Sequence, residues 1–416
     1  MKVYALLLLL LFFLFFTSIF GDLGLKLAKC QRKIVKISNA KCGDSNQCSN
    51  VVFLQLGMCQ FNKPNEDSKF IWPNLPTKLK KHVVKRLDYV SRCRLRKCST
   101  SDQELVDSCP MHWNGIYVSL TQASLHIRFS KVVTMEYFRK NNDRIEIKFI
   151  EGQSFCKKTR EVVDSKLNHY NVGIADFLLM LKNQSTTCQE INFQNLESID
   201  TEDQYRFIQS LLFHLSSMNS SWKIHSKKLY TSLVTTSSQL LDILSFFCPN
   251  TLKCITMKEY SFNAIETKAL VNTGHWRNAE CLDLQHENNI SIAEFLHSKT
   301  FWTVVPKLEP SDAWAVIENY REKDGRPRGS TFYIRSISPL EIQNILNEYD
   351  VPVDNMPVES PWRKDSVLHT QKFPIAGSEL VLVVMLMKFE ITGKLCLLSN
   401  IEEDCYNYYT ADPDLD

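Results

Sequence analysis

Residues 227–244, which read KKLYTSLVTTSSQLLDIL, contain the local pattern from which the fold can be predicted outward. Their first part, together with the preceding Lys223 to Ser226, predicts a short strand. Thr235, Thr236 and Ser237 then offer an N-cap, and the apolar residues that follow recur at helical intervals. The stretch therefore predicts a strand that leads directly into a capped helix.

The neighbouring stretches supply the other elements of one structural unit. Residues 201–217 carry two acids after Thr201 and predict an amphipathic helix. Residues 254–262, 263–271 and 279–285 contain alternating apolar positions and few glycines. This pattern predicts antiparallel strands that are half covered by helices, and so an α+β unit.

The unit is repeated along the chain. The octapeptide NVGIADFL at 171–178 is closely matched by NISIAEFL at 289–296, and matching neighbours occur in the same order before both. Tyr117 in the first copy corresponds to Tyr230 in the second, and a fainter third copy places Tyr333 there. The repeats predict tandem modules of helices packed on curved antiparallel sheets.

The predicted domain order follows from these repeats and from the composition of the N-terminal part. It runs through a signal peptide (1–21), a Cys-rich region with a linker (22–74) and three α+β repeats (75–190, 200–300 and a divergent 301–410).

An apolar run begins at the third residue and ends at Gly21, which is the pattern of a cleaved signal peptide. An uncleaved membrane anchor is the alternative. Fourteen cysteines occur in the chain, and an even count in an oxidising compartment predicts disulfides. The alternatives are buried free thiols or a zinc site, but no CxxC pair occurs. Short separations suggest Cys42 with Cys48 and Cys396 with Cys405, and predict a small disulfide-rich N-terminal region.

Three sequons place candidate glycans on Asn183, Asn219 and Asn289. Together with the apolar leader and the cysteines, they predict a secreted, extracellular glycoprotein without a membrane span after signal cleavage.

The net charge is +3, and positive residues concentrate in the first third of the chain. Residues 78–97 predict a basic helix whose cations could bind polyanions such as glycosaminoglycans or anionic lipid heads. The alternative is a solvated helix face that meets the acidic part of the same chain. The candidate polyanion-binding residues are Lys78, Lys80, Lys81, Lys85, Arg86, Arg92, Arg94, Arg96 and Lys97.

The sequence contains no HExxH, no GxSxG, no phosphate-binding glycine-rich loop and no DxDxDG calcium loop. No catalytic residue, metal or cofactor is therefore expected, and a nucleic-acid partner is not expected either.

The order of helix, strand, capped helix and strand-rich tract resembles secreted proteins built from nuclear transport factor two-like domains. TEDQYRFIQSLL, KKLYTSLVTTSSQLLDIL and CITMKEYSFNAIETKALV carry this resemblance, which extends over residues 75–410. It implies a cone-like half-barrel with an apolar pocket, a scaffold that serves both binding proteins and enzymes.

The predicted function is that of a non-enzymatic binding protein for an extracellular protein or a small apolar ligand. One alternative is a secreted hydrolase or isomerase that uses a buried acid or histidine in a pocket. A second alternative is an extracellular polyanion-binding protein acting through the basic helix 78–97.

Overall fold

The computed structural model describes residues 72–401, apart from gaps at 122, 131–132, 141–143, 152–157, 164–167, 184, 196–200, 220, 234–235, 259–263, 323–324, 351 and 354–366. The predicted signal peptide and almost all of the predicted Cys-rich region lie outside the described residues. The chain divides into two units, residues 1–83 and 84–416. Among the described helices, none is both long and apolar enough to cross a membrane.

Three short helices open the described part, after a 3₁₀ turn at Trp72–Asn74. They are α1 (Thr77–Arg86), α2 (Tyr89–Arg96) and α3 (Thr100–Asp107). Asp88 begins α2, because its carboxylate accepts a hydrogen bond of 2.7 Å from the backbone amide of Ser91. The single basic helix predicted over 78–97 is therefore wrong, since a new helix starts at this cap.

Fifteen strands of the described residues form one sheet. They are β1 (His112–Trp113), β2 (Ile116–Leu120), β3 (Ser124–Phe129), β4 (Val133–Lys140), β5 (Arg144–Glu151), β6 (Lys158–Val163), β7 (Thr187–Asn195), β8 (His225–Thr231), β9 (Cys254–Met257), β10 (Cys281–Glu287), β11 (Thr300–Val305), β12 (Thr331–Ser336), β13 (Val367–Pro374), β14 (Leu380–Met387) and β15 (Glu390–Leu397). The predicted fold of tandem modules on curved antiparallel sheets is wrong, because these strands form one mixed sheet.

The middle of the sheet is parallel. Strands β7 to β12 lie side by side in chain order, and each pairs with the next in the parallel sense. Antiparallel strands extend both sides: β3 to β6 beyond β2, and β13 to β15 beyond β12. The predicted antiparallel, cone-like half-barrel is wrong, because successive parallel strands with crossover connections form an α/β solenoid topology.

The crossover helices share one hydrophobic core with the sheet. The helices after α3 are α4 (His169–Leu181), α5 (Thr201–Ser216), α6 (Ser237–Ser245), α7 (Ala264–Val271), α8 (Gly274–Arg277), α9 (Pro310–Glu322) and α10 (Ile342–Asn347), with 3₁₀ turns at Ile292–Phe295 and Leu398–Asn400. A register row of fully buried side chains faces them: Leu229, Ile255, Leu282, Phe301 and Phe332. Successive residues of a strand point to opposite faces of the sheet. The residue on either side of each of these five along its strand therefore lies on the other face.

Several local predictions are confirmed. Helix α5 and strands β8 and β10 occur where their patterns predicted them. Thr236 caps α6, and its hydroxyl oxygen accepts a hydrogen bond of 3.3 Å from the amide of Gln239. The stretch 263–271 was predicted as a strand, but its described part forms helix α7.

The two similar octapeptides have different backbones. Residues 171–178 lie inside the long helix α4, whereas 289–296 form a loop and the 3₁₀ turn Ile292–Phe295. Gly173 brings α4 against the sheet, because a Cβ atom there would collide with the side chain of Leu125. Sequence similarity therefore did not indicate equivalent structure in this case.

No disulfide joins any of the eight cysteines that lie in the described residues. Cys396 is one of these and is buried in β15, whereas its predicted partner Cys405 lies outside the described residues, as do Cys42 and Cys48. The described residues contain no disulfide, so the predicted disulfide-rich N-terminal region has no support.

Candidate functional site

The face of the sheet opposite the helices, here called the open face, carries a row of polar and aromatic side chains in register. This central row consists of Tyr117, Asn192, Tyr230, Thr256, Asp283, Trp302, Tyr333 and Thr392. It crosses eight strands at one level, because each member is the direct cross-strand partner of the next. The three tyrosines that the repeat analysis treated as equivalent all lie in this row.

Aromatic rings of the row contact each other and a neighbouring lysine. The rings of Trp302 and Tyr333 meet edge to face, with centroids 4.8 Å apart. The ammonium nitrogen of Lys258 lies 5.2 Å from the ring centroid of Tyr230. Tryptophan, tyrosine and arginine are the residue types that dominate the energy of protein interfaces. The row therefore has the composition of a protein-binding surface.

Asp283 is the carboxylate of the row. Its Oδ2 accepts a hydrogen bond of 2.9 Å from the side-chain amide of Gln285. Burial raises the pKa of Asp283 to about 6, an effect that the Gln285 hydrogen bond and the charge of Lys258 oppose. A carboxyl group with this pKa exchanges protons close to neutral pH.

Four members of the central row have a side-chain polar atom that is buried and has no hydrogen-bond partner among the described residues. These atoms are Asn192 Oδ1, Asp283 Oδ1, Trp302 Nε1 and Thr392 Oγ1. Unsatisfied buried polar atoms are uncommon in folded proteins. Their concentration in one row distinguishes this level of the open face from the apolar row behind it.

Sequence reasoning missed this row. The alternating patterns CITMK and AECLDLQ place Thr256 and Asp283 on the face away from the apolar residues, so the alternation could have indicated the face of these two residues. The alternation could not indicate the order of the strands in the sheet.

The helical segment before the sheet is organised around Arg92, which is only 6% exposed. Its Nη1 donates hydrogen bonds to the carbonyl oxygens of Pro110 at 3.0 Å and Cys109 at 3.3 Å. Its Nη2 donates to the carbonyl oxygen of Lys85 at 3.1 Å, and its Nε donates to the carbonyl oxygen of Leu87 at 3.2 Å. Burial lowers the pKa of this guanidinium. One buried cation thus joins the end of α1, the start of α2 and the chain after α3.

These contacts bear on the predicted polyanion site. Arg92 donates its hydrogen bonds to backbone carbonyls, and Arg96 forms a bidentate ion pair with the carboxylate of Asp107 at 2.8 and 3.1 Å. Six of the remaining candidates are exposed and one is half-buried: Lys78, Lys81, Lys85, Arg86, Arg94 and Lys97, and then Lys80. Arg92 is therefore not available to a polyanion, while binding by the other residues stays an untested prediction.

Two of the predicted glycan acceptors make hydrogen bonds within the protein, and the third lies in solvent. The side-chain amide of Asn183 donates to the carbonyl of Asp107 at 2.8 Å. Asn219 Oδ1 accepts from the amide of Ser221 at 3.1 Å, and Asn289 is exposed after β10.

Buried ionisable groups are scattered over the described residues. Burial lowers the pKa of His169, at the start of α4, to about 4. His275 lies within 3.0 Å of the carbonyl of Phe247, and burial lowers its pKa as well. In the described part of the chain, no three His, Cys, Asp or Glu side chains are arranged to hold a metal ion.

Comparison with known proteins gives two domain matches. Residues 72–114, which contain α1 to α3 and β1, match the F-box domain. Residues 205–348, from α5 to the end of α10, match the FTH domain. The helical segment and much of the sheet therefore resemble known domains.

A relative among curated proteins agrees with these matches. It is an uncharacterised F-box protein of Caenorhabditis elegans, 36% identical over 83 residues. The match covers 19% of this chain, and the chain spans about a fifth of that relative, 22% of its length. No solved structure matches this chain.

These findings correct the sequence-based interpretation. The resemblance to nuclear transport factor two-like proteins is wrong, since the matched domains are F-box and FTH. The secreted, disulfide-bonded and glycosylated binding protein is also wrong, together with its extracellular partner, because F-box proteins are intracellular components of ubiquitin ligases.

Proposed function

We propose that this protein is a substrate-recognition adaptor of a cullin-type ubiquitin ligase of the SCF class. In this proposal the helical segment binds Skp1, the partner that F-box domains typically bind. The observation that carries the proposal is the F-box match over residues 72–114, which coincides with α1 to α3.

Exposed apolar side chains on α1 support a protein partner for this segment. Leu79 is 52% exposed and Val83 is 40% exposed, on a helix otherwise rich in lysine. Covering exposed apolar side chains on a helix with a partner lowers the free energy of the complex, because apolar surface is removed from water. The F-box match makes Skp1 the partner of choice for this surface.

The open face is proposed to bind the substrate. Trp302, Tyr333 and Tyr230 provide rigid aromatic area, and Asp283 and Lys258 add charges of both signs. A surface that combines aromatic rings with charged groups favours a protein segment over a small apolar ligand. The substrate of an adaptor is a protein, which is consistent with this composition.

The test is a binding measurement between the full chain and purified Skp1 by titration calorimetry, with size-exclusion chromatography to show a complex. The wild-type chain is expected to bind, and Leu79→Asp and Val83→Asp are expected to weaken binding at least about tenfold, since about 1.4 kcal/mol is a factor of ten.

A matched control separates recognition from general surface effects. Ile265 in α7 is 84% exposed and lies outside the F-box match, so Ile265→Asp should bind Skp1 as the wild type does. Trp302→Ala on the open face should also retain Skp1 binding. A wild-type chain that does not bind Skp1, or α1 variants that bind as well as Ile265→Asp, would show that the proposal is wrong.

A further inference from the structure

Two cysteines face each other on the open face. Cys254 in β9 and Cys281 in β10 are direct register partners on adjacent parallel strands. Each lies two residues before a member of the central row, Thr256 and Asp283, so all four side chains share one face. Both cysteines are half-buried free thiols.

Their spacing suits a covalent bond between the sulfur atoms. Adjacent strands lie about 4.8 Å apart. This separation is within the range of roughly 4.4 to 6.8 Å between the Cα atoms of disulfide-bonded cysteines. The two thiols interact, because each changes the pKa of the other. The register thus places the two cysteines at a separation that a disulfide can bridge.

The surrounding charges make the two thiols unequal. The interaction with Cys281 and the ammonium group of Lys228, its register partner on β8, lower the pKa of Cys254, and burial opposes them. The pKa of Cys281 is raised by the same interaction and by burial, and Asp283 raises both. Cys254, which lies beside Lys228, is therefore assigned as the attacking thiol of the pair, and Cys281 as its partner.

Three other described cysteines lack this arrangement. Burial raises the pKa of Cys188 to about 12, and it also raises the pKa of Cys93 and of Cys98. No other cysteine influences the pKa of these three thiols.

We propose that Cys254 and Cys281 form an oxidisable dithiol, a modification site on the open face whose reactant is a hydroperoxide. The Cys254 thiolate attacks one peroxide oxygen, the O–O bond breaks, and sulfenic acid and hydroxide form. The Cys281 thiol then attacks the sulfenic sulfur, its proton leaves with the displaced hydroxyl as water, and the S–S bond forms. Two thiols are oxidised, and one hydrogen peroxide is reduced to two waters.

The bond would connect β9 to β10 beside Thr256 and Asp283. It would fix the spacing of these strands at the middle of the central row and remove the thiolate near Lys228. The inference stands on the register and chemistry of the pair and does not depend on Skp1 binding.

The test is oxidation of the reduced full-length protein with hydrogen peroxide, followed by thiol blocking, trypsin digestion without reduction, and mass spectrometry. Trypsin places Cys254 in residues 254–258 and Cys281 in 278–299, and cuts between Cys248 and Cys254 at Lys253. The expected product is the linked pair of these two peptides, lighter than the free peptides by about 2 Da.

Variants assign the roles of the two thiols. Cys281→Ser should stop at a sulfenic acid on Cys254 that dimedone traps, and Cys254→Ser should slow oxidation at Cys281 about tenfold or more. Cys248→Ser, at another half-buried thiol, should leave the linked peptides unchanged. Circular dichroism checks that each variant is folded.

The wild-type peptide map keeps the inference falsifiable even if a variant fails to fold. Two results would overturn the inference. One is the absence of the linked peptides under conditions in which dimedone already labels the exposed Cys98. The other is oxidation of Cys281 in Cys254→Ser at the same rate as in the wild type. Failure of the Skp1 measurement would leave this peptide map unaffected, so the two proposals can fail separately.

Discussion

The hydroxyl of Tyr137 in β4 donates a hydrogen bond of 2.8 Å to the carboxylate of Asp176 in α4. Tyr137 is fully buried, and burial together with the Asp176 charge raises the pKa of its hydroxyl. Asp176 belongs to NVGIADFL, the octapeptide that seemed to mark a repeat. Its role in the structure is to hold α4 against the antiparallel end of the sheet.

Replacing Tyr137 with Phe removes this donor and keeps the ring. We expect the free energy of unfolding to fall by about 1–2 kcal/mol, because a hydrogen bond to a carboxylate is lost inside the protein. Urea denaturation measures the change. Tyr205→Phe is the control, because Tyr205 is 52% exposed on α5 and should change stability little. Equal stability of the two variants would contradict the importance of the Tyr137 contact.

Gly393 in β15 lies directly opposite Phe332 in β12, and a Cβ atom on Gly393 would collide with the phenyl ring. Phe332 is fully buried, so its ring has no free space to enter. Gly393→Ala should lower the free energy of unfolding by roughly 1–3 kcal/mol through overpacking.

A second substitution checks the cause of that loss. Phe332→Leu combined with Gly393→Ala should recover part of the destabilisation relative to the sum of the single changes, because the smaller side chain makes room. Gly274→Ala is the matched control, since its Cβ would lie 3.5 Å from Pro249, an ordinary contact. Strict additivity in the double mutant would show that the ring contact is not responsible.

Arg92→Gln removes the guanidinium that joins α1, α2 and the chain after α3. Because four backbone carbonyls then lose their donor, we expect the free energy of unfolding to fall by about 2–4 kcal/mol and amide hydrogen exchange to become faster in residues 85–110. Arg86→Gln, at an exposed position in the same segment, serves as the control. If Arg92→Gln left the protection of these backbone amides against hydrogen exchange unchanged, the result would count against this organisation of the helices.

Asp283 predicts a pH dependence with a definite sign. Its pKa rises from an ordinary 3.8 to about 6 in the folded protein, so folding favours the protonated carboxyl. Relative to Asp283→Asn, the wild-type protein should therefore lose stability as the pH rises from about 4 to about 6. The loss should total roughly 3 kcal/mol and then remain constant.

Urea denaturation at several pH values measures this difference. Asp242→Asn, at an exposed carboxylate on α6, should follow the wild type at every pH. A wild-type protein whose stability differs from that of Asp283→Asn by the same amount from pH 4 to pH 7 would contradict the raised pKa.

Local structure could be predicted where a few neighbouring residues determine it. The Thr236 cap, helix α5 and strands β8 and β10 follow from side-chain hydrogen bonding and from the spacing of apolar residues. The helix α7 was missed, because an eight-residue apolar stretch fits a strand as well as a buried helix.

The functional interpretation went wrong where weak signals were combined. Because the apolar leader suggested secretion, the cysteines were predicted to form disulfides. The described cysteines form none. The basic residues suggested one surface helix, but Asp88 divides it and Arg92 is buried by its bonds to backbone carbonyls. Neither the cap nor the carbonyl cluster could be recognised from charge alone.

By itself, the sequence determined which residues face the core and where several helices begin, because these depend on side chains a few positions apart. Only the tertiary structure decided that the central strands are parallel, since alternation marks the buried face of a strand and not the direction of its neighbour. That pairing brought Cys254 beside Cys281 and aligned Asp283 with Trp302. The open face exists because strand register places residues distant in the chain at one level of the sheet.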